Sequence, residues 1–351
     1  MKHLIFLLVD HFEPREPQVM ADWEREHARL ADEFADADGR APQHTWFYDE
    51  EDPQVLGALE RLCRRRLGEI EVHLHHSFDT AGGLREKLEM RMRAWEPFGA
   101  LVTAGPSPRR TFGFIHGKWS LDNSRGAAHC GVNNELAVLC EAGCYADFTF
   151  PAWGPMQPRR PNRIYYATDD PQRPASHRDG RDVEACRAAA LGGEEIAAEG
   201  GCATPAGDLM IFMGPGRRSG VPRAVGRVPG AAWLADRLWL TCALDAHLPP
   251  WPSRVDRWAA AHVHVKGRPD WVFVKAHTHG ARPENYRAWF GRHARALHSY
   301  LANRYNDGSS WRLHYATARE AYNMVKAAEA GRGGDPGAFR DFVIPPYLNR
   351  T

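Results

Sequence analysis

EIEVHLHHSFDT, residues 69–80, alternates apolar and polar side chains and ends in a run of histidines. This period of two predicts a β-strand with one apolar face. His73 and His75 lie two residues apart on that strand, so their side chains share a face at a spacing of roughly 6 to 7 Å. One metal ion can bridge two such side chains, and His76, just past the strand, is a third candidate ligand. The alternative is a histidine-rich edge that faces water, so other stretches must decide.

Composition limits the class of partner. The chain has 351 residues, of which 43% are hydrophobic, and this suits one decorated barrel or two domains. The 45 Lys and Arg residues nearly balance the 44 Asp and Glu residues, giving a formal net charge of +1. No strong field therefore favours nucleic acid or an anionic membrane. The 18 histidines and 12 tryptophans suit a site that binds a metal and stacks on sugar rings.

The amino end and the cysteines bear on location. The apolar run Leu4–Val9 is too short for a secretory signal and is followed at once by Asp10, so it is interpreted as a buried strand. No run approaches the roughly 20 apolar residues of a membrane span. The seven cysteines are irregularly spaced, which favours reduced thiols over a disulfide framework. These features predict a cytoplasmic protein without a membrane span.

Strands and helices alternate through the first half of the chain. The strand Leu4–Val9, a helix over Val19–Ala35, the strand His44–Tyr48 and a helix from Pro53 to Arg66 precede the histidine strand. This order predicts a parallel sheet, whose functional groups collect where strands end. The polar turn DHFEP, residues 10–14, follows the first strand and would bring Asp10, His11 and Glu13 to that edge.

The amino-acid composition changes over residues 154–230, which are rich in Gly, Pro and Arg. We interpret them as an inserted irregular or β arm within a single domain of residues 1–351, with strands near Asn162–Thr168 and at Asp208–Met213. The regular pattern resumes with a helix over Arg254–His262 and then the strand Trp271–His277, from which Lys275, His277 and His279 alternate. A long helix over Tyr286–Asn303, a last strand and a helix with a Thr317–Glu320 capping box follow.

Three polar clusters therefore lie at predicted strand ends, and together they predict a mononuclear metal site. Carboxylate and imidazole ligands suit Zn, Co, Ni, Fe or Mn, with Zn favoured. A site with three protein ligands keeps a position open for water, whose pKa the ion lowers. Hydrolysis of an amide or ester is the expected chemistry.

Four stretches resemble the polysaccharide deacetylase family, also called NodB-homology or carbohydrate esterase family 4. They are LLVDHFEP, EIEVHLHHSFDT, DFTFPA and FVKAHTHG, and they occur in the family's order within residues 1–152 and 254–325. GCYADFTFP and HGKWSLDNS resemble the divergent members of bacterial surface-polysaccharide pathways. The resemblance implies a distorted (β/α)7 barrel, similar to a TIM barrel, with a divalent metal at its carboxyl-terminal mouth.

The chain departs from the family's motifs at three positions. His11 stands in place of a second aspartate, Ser77 in place of a metal histidine, and Thr149 in place of an arginine. The second histidine ligand would then be His75 or His76. The family's catalytic histidine matches His277.

The resemblance implies a hydrolase that removes an acetyl group from an amino sugar or acetylated saccharide. Asp10, His73 and His75 would hold the metal, with His11 or His76 as substitutes. A metal-bound water would attack the carbonyl, Asp10, Glu13 or another carboxylate would take its proton, and His277 would protonate the leaving group. Residues expected to orient the saccharide are Trp119, Asp122, Asn123, Asn134 and His279.

Two alternatives remain open from the sequence. One is a metal-independent glycoside hydrolase, which needs two acids about 5 to 9.5 Å apart, such as Asp10 or Glu13 with Asp79 or Asp147. The other is a catalytically silent glycan-binding protein, consistent with the motif departures. The sequence leaves the oligomeric state undetermined.

Overall fold

The computed structural model describes residues 1–152, 154–186, 208–216 and 241–350, within which eleven strands and eight α-helices are numbered in chain order. The strands are β1 (Lys2–Phe12), β2 (His44–Tyr48), β3 (Gly68–Leu74), β4 (Phe112–His116), β5 (Cys144–Asp147), β6 (Ile164–Thr168), β7 (Arg181–Asp182), β8 (Asp208–Phe212), β9 (Ala243–Leu244), β10 (Trp271–Thr278) and β11 (Trp311–Tyr315). The helices are α1 (Pro17–Glu33), α2 (Pro53–Arg64), α3 (Ala81–Trp95), α4 (Glu135–Glu141), α5 (Pro252–Ala261), α6 (Pro283–Phe290), α7 (Arg292–Tyr305) and α8 (Ala318–Glu329).

The strands form one mostly parallel sheet in the order β7-β6-β8-β5-β4-β3-β2-β1-β10-β9. β11 pairs with β1 beside β2, so β1 has neighbours along both edges. β6 is antiparallel to both β7 and β8, and the other pairs are parallel. The expected mixed α/β class is confirmed. The closed barrel is not confirmed, because β7 and β9 end the sheet without pairing to each other in the described part of the chain.

The sheet nevertheless curls strongly around an apolar core on one face. Phe212 on β8 contacts Phe273 on β10 with ring centroids 5.6 Å apart, although six strand positions separate these two strands in the sheet. Lys275 Nζ donates to the carbonyl oxygens of Phe148 and Phe150 across the same interior. We call this side the inner face; α8 covers part of it, and α1 to α3 pack on the outer face.

Local signals account for most helix starts. Proline occupies the first turn of α1, α2, α5 and α6, where its missing N–H costs nothing. The side chains of Asp52 and Thr80 cap α2 and α3, and the predicted Thr317–Glu320 capping box is present at α8. The predicted helix Tyr286–Asn303 is instead two helices, because Gly291 adopts an extended backbone between α6 and α7.

The amino end of the sheet is closed by a buried ion cluster, here the Glu69 cluster: Glu69, Arg319, Glu320 and Arg350. Arg319 Nε and Arg350 Nη1 donate to Glu69 Oε1 at 2.9 and 2.6 Å. Arg350 Nη1 also donates to Glu320 Oε1 at 3.0 Å. The cluster thus ties β3 and α8 to the segment that follows α8.

The structure bears on the predicted absence of a membrane span and on the predicted state of the cysteines. No helix in the described ranges has the length and apolar character needed to cross a bilayer. Cys186 is disulfide-bonded, which differs from the expectation of reduced thiols, whereas the free cysteines include Cys63, Cys130, Cys140, Cys144 and Cys242. Residues 187–207 and 217–230 of the predicted arm lie outside the described residues. In its described part, β8 pairs with β5 in the main sheet.

Candidate metal centre

Strand alternation decides which predicted side chains meet. β1 continues to Phe12, so residues 10 and 11 are still part of the strand and point to opposite faces. His11 and, just beyond the strand, Glu13 lie on the inner face together with His73 on β3 and His75 just past its end. His277 and His279 reach the same carboxyl edge from β10. The three predicted clusters therefore do converge at one end of the sheet.

Three of these side chains place their ligand atoms around one common point. Glu13 Oε1 lies 3.2 Å from both His73 Nε2 and His75 Nε2, and the two Nε2 atoms are 3.1 Å apart. Ligands at about 2.0 to 2.1 Å from a tetrahedral ion are about 3.3 Å from one another. The triangle therefore has the size of one face of a tetrahedral metal site, and we call these residues the Glu13 triad.

Hydrogen bonding fixes the tautomer of one triad histidine. His73 Nδ1 lies 2.8 Å from the carbonyl oxygen of Ile115, which can only accept, so Nδ1 carries the proton. The Nε2 lone pair of His73 then faces the carboxylate of Glu13. A cation between these acceptors would relieve their repulsion, and the Ile115 contact is the type of outer hydrogen bond that orients metal-bound histidines.

The triad is buried on the His73 side and open to solvent on the side of Glu13 and His75. The side chain of His73 is fully buried, whereas those of Glu13 and His75 are 21% and 37% exposed. A cavity of about 380 Å³ lies beside Glu13 and is lined by Arg15 and Arg282 among others. A metal bound here keeps a position for a further ligand, as in catalytic zinc sites.

Asp10, predicted as a ligand and base, lies on the outer face. Its Oδ2 is 2.9 Å from His44 Nε2, and its Oδ1 accepts from the Gly280 N–H at 2.7 Å. Burial raises its pKa to about 7. Asp10 is therefore not among the side chains that converge in the triad.

Imidazole rings wall the open side of the triad. His11 stacks on His279 with centroids 4.6 Å apart and contacts His73 edge-on at 5.0 Å. Trp119 lies 5.9 Å from His11 and 6.1 Å from His279. His277 lies deeper, with Nδ1 3.3 Å from Cys242 Sγ, and burial lowers its pKa well below the usual value. The wall is aromatic, as expected for a surface that stacks on a ring.

The other predicted substrate residues hold a loop together. Asp122 is buried and its Oδ2 accepts from the Ser176 N–H at 2.5 Å. Asn123 bridges Asn133 and the Gly131 N–H, at 2.7 and 3.0 Å. Asn134 is the residue that precedes α4 and makes no side-chain capping bond. Among the four loop residues Trp119, Asp122, Asn123 and Asn134, a ring contact with the site histidines is observed for Trp119.

His76 points away from the triad into a second group. Together with His116, Cys130 and Glu135 it forms the His76 cluster, whose ligand atoms all lie within 4.8 Å of one another. All four residues are buried. Both the Glu13 triad and the His76 cluster can hold a metal ion.

Sequence reasoning missed several residues of these sites. Asp49 follows β2, interacts electrostatically with His73 and Glu13, and has a buried Oδ1 without a hydrogen-bond partner in the structure. The position after a predicted strand was the signal that could have found it. Cys130 and Glu135 gave no such signal, because they are 54 and 59 residues from His76 in a loop and a helix start.

The chain matches no protein-family model, no curated protein and no solved structure with which it was compared. The chemistry of the site must therefore be inferred from its own residues.

Proposed function

We propose that the protein is a metal-dependent hydrolase that removes an acetyl group from an amino sugar or another acetylated saccharide. The observation that carries the proposal is the convergence of Glu13 Oε1, His73 Nε2 and His75 Nε2 within 3.2 Å at an edge open to solvent. The resemblance of four motifs to polysaccharide deacetylases supplies the substrate class and the expectation of a distorted (β/α)7 barrel.

The triad residues and their neighbours would divide the work. A divalent ion held by the triad, Zn or alternatively Co, Ni, Fe or Mn, would polarise the acetyl carbonyl and lower the pKa of a water. With Glu13 serving as a ligand, Asp49 would accept a proton, since its Oδ1 is buried without a hydrogen-bond partner in the described structure. His277, whose Nδ1 is engaged with Cys242, is the candidate for carrying a proton to the leaving group. Trp119, which is partly exposed, would stack on the sugar.

The two alternative functions have weaker support. A metal-independent glycoside hydrolase would need one of three acids to pair with Glu13, and each of them is placed or bonded elsewhere. Asp10 lies on the outer face, Asp79 accepts from Lys87 at 2.6 Å, and Asp147 accepts from the Thr149 hydroxyl at 2.6 Å. No contact in the described part of the chain places any of these three acids opposite Glu13 across the open cavity. A silent glycan-binding protein remains the outcome if metal and sugar bind without turnover.

The test is acetate release from N-acetylated and O-acetylated sugars by untagged protein reloaded with Zn, Co, Ni or Mn. We expect release by the wild type, and a loss of more than about 100-fold in Glu13→Gln and in His73→Ala combined with His75→Ala. Metal content measured by mass spectrometry should fall in the double variant. His247→Ala, at an exposed histidine, should change neither quantity.

The outcomes separate the parts of the proposal. Wild-type protein that binds metal but releases no acetate from any substrate would remove the deacetylase activity and leave the metal centre. Wild-type protein that takes up no metal, or a double variant that keeps full activity, would overturn the centre itself.

A further inference from the structure

A second group of metal-ligating side chains lies behind the Glu13 triad. His75 and His76 are adjacent, so the end of β3 sends one imidazole to each group. His76 joins His116 from the end of β4, Cys130 from the loop before α4, and Glu135 from the first residue of α4. All of them are at most 7% exposed.

The ligand atoms surround one small space. His76 Nε2 is 2.9 Å and His116 Nε2 is 3.4 Å from Glu135 Oε1, while Cys130 Sγ is 3.4 Å from Glu135 Oε2. The two imidazole rings have centroids 4.6 Å apart. Two nitrogens, one sulfur and one carboxylate oxygen make a complete four-ligand set of the kind found in closed structural zinc sites.

The buried Nε2 atom of His116 has no hydrogen-bond partner in the described structure. His116 Nδ1 lies 2.5 Å from the carbonyl oxygen of Gly117, which can only accept, so the ring proton is on Nδ1. The lone pair of His116 Nε2 therefore points into the cluster, where this fully buried atom has no hydrogen-bond donor. Buried polar atoms are seldom left unsatisfied, and a cation is a partner that a lone pair can take.

The charges of the set also match a divalent ion. Two neutral imidazoles, one thiolate and one carboxylate sum to minus two, so a bound divalent cation leaves the buried site neutral. A thiolate ligand favours a soft or borderline ion such as Zn over Mg or Ca. The Glu13 triad has no sulfur ligand, so the two sites differ in chemistry.

The backbone is built to bring Cys130 to this place. Asp79 N–H donates to the Cys130 carbonyl at 3.0 Å, and Phe78 N–H donates to the Ala127 carbonyl at 2.6 Å. Gly131 follows with φ +107°, and a Cβ there would lie 2.6 Å from Asp79 N. The loop therefore packs directly on the segment that carries His76.

We propose that His76, His116, Cys130 and Glu135 form a second, structural metal site that takes a zinc-like divalent cation. The ion cross-links four segments of the chain at the base of the loop that carries Trp119. The ion holds this loop against His11 and His279 and takes no part in the reaction. The proposal does not depend on the function assigned to the Glu13 triad.

The experiment is metal analysis and cobalt spectroscopy on the untagged full chain. We expect about two divalent ions per chain in the wild type, falling to about one in Cys130→Ser and to about one in His73→Ala combined with His75→Ala. After cobalt loading, a thiolate-to-cobalt charge-transfer band should appear in the wild type and in the triad double variant. It should disappear in Cys130→Ser. Cys140→Ser and Cys242→Ser should both retain it.

The competing arrangement is a metal-free ion pair, in which a protonated His76 lies between Asp79 and Glu135, at 3.2 and 2.9 Å. Wild-type protein with no thiolate-to-cobalt band would support that arrangement and overturn the proposal, even if Cys130→Ser does not fold. A band that is lost in Cys242→Ser and kept in Cys130→Ser would also overturn it.

Discussion

Asp10 and Glu13 are both acidic and three residues apart, yet they lie on opposite faces of the sheet. The apolar run predicts that the first strand ends at Val9 and that residues 10–14 form a turn, in which side-chain direction is undetermined. Because β1 continues to Phe12, alternation assigns Asp10 to the outer face with His44. One carboxylate is therefore available to the triad, and the other has a structural environment.

The first prediction concerns Asp10 and pH. Its folded pKa of about 7 exceeds the ordinary value of 3.8, so the folded state holds this proton to higher pH than the unfolded state does. The resulting stabilisation is complete below the ordinary pKa and is lost as pH rises to about 7. Asp10→Asn removes the titration while keeping a donor to His44 and an acceptor for Gly280.

Denaturant unfolding should therefore show that the wild type loses about 3 kcal/mol relative to Asp10→Asn between about pH 5 and about pH 8. The variant should keep its metal content. Asp32→Asn, at an exposed site, is the matched control and should show no such relative loss. A constant difference between wild type and Asp10→Asn across this range would contradict the assignment.

Among individual residues, the pairing of His73 with His75 could be predicted, because it follows from the period of a single strand. The position of His76 could not, since it depends on where β3 ends. Its partners Cys130 and Glu135 are brought near by packing between distant segments, which no local pattern records. Glu135 is also the first residue of α4.

At the level of elements, the loop between β4 and α4 supports both sites. It carries Trp119 to the histidine wall and Cys130 to the His76 cluster. The loop has two glycines in the left-handed region, Gly126 with φ +81° and Gly131 with φ +107°. They differ in their surroundings: nothing lies within 4 Å of a Cβ at Gly126, whereas a Cβ at Gly131 meets the Asp79 backbone at 2.6 and 2.7 Å.

This pair gives the second prediction. Gly126→Ala should cost about 1 to 3 kcal/mol, because a backbone with φ +81° and ψ 174° is one that essentially only glycine adopts. Gly131→Ala adds a clash with the Asp79 backbone, so it should cost at least about 2 kcal/mol more and should reduce metal binding at the His76 cluster. Thermal unfolding and metal content of both variants measure this. Equal effects of the two substitutions would show that the close approach to Asp79 is unimportant.

Most elements of the fold follow from local sequence. The β2, β3 and β10 strands and the capping box at Thr317 were all expected close to their observed bounds. The division of one predicted helix at Gly291 was missed, because a single glycine is compatible with a helix and its extended conformation is imposed by packing. Whether the sheet closes was also beyond local patterns, because closure depends on pairing between strands far apart in the chain.

At the scale of the whole molecule, the Glu69 cluster connects three distant parts of the chain on the side opposite the metal centres. Arg319 is fully buried, pairs with Glu69, and donates to the Ile344 carbonyl at 2.6 Å. Removing one partner of a buried pair leaves an uncompensated charge, which costs about 3 to 5 kcal/mol.

The third prediction follows from this contrast between buried and surface pairs. Arg319→Met should lower the free energy of unfolding by about 3 to 5 kcal/mol. Arg312→Met, which breaks pairs with Asp38 and Asp335 at a partly exposed site, should cost about 1 kcal/mol or less. Equilibrium unfolding in urea compares the two. A similar, small loss in both would mean that the Glu69 cluster contributes no more than a surface pair.

The position of β1 in the sheet has a consequence for the order of events during synthesis. Its neighbours β10 and β11 are translated long after it, and Asp10 and Gly280, which hydrogen-bond across this junction, are 270 residues apart. Until those strands leave the ribosome, β2 is the partner that β1 can find, and it pairs with Val9–Phe12. The apolar segment Leu4–Leu8 therefore remains without its sheet neighbours through most of translation. Folding is slow for such distant pairings, and an apolar segment that stays exposed meanwhile favours aggregation of the nascent chain.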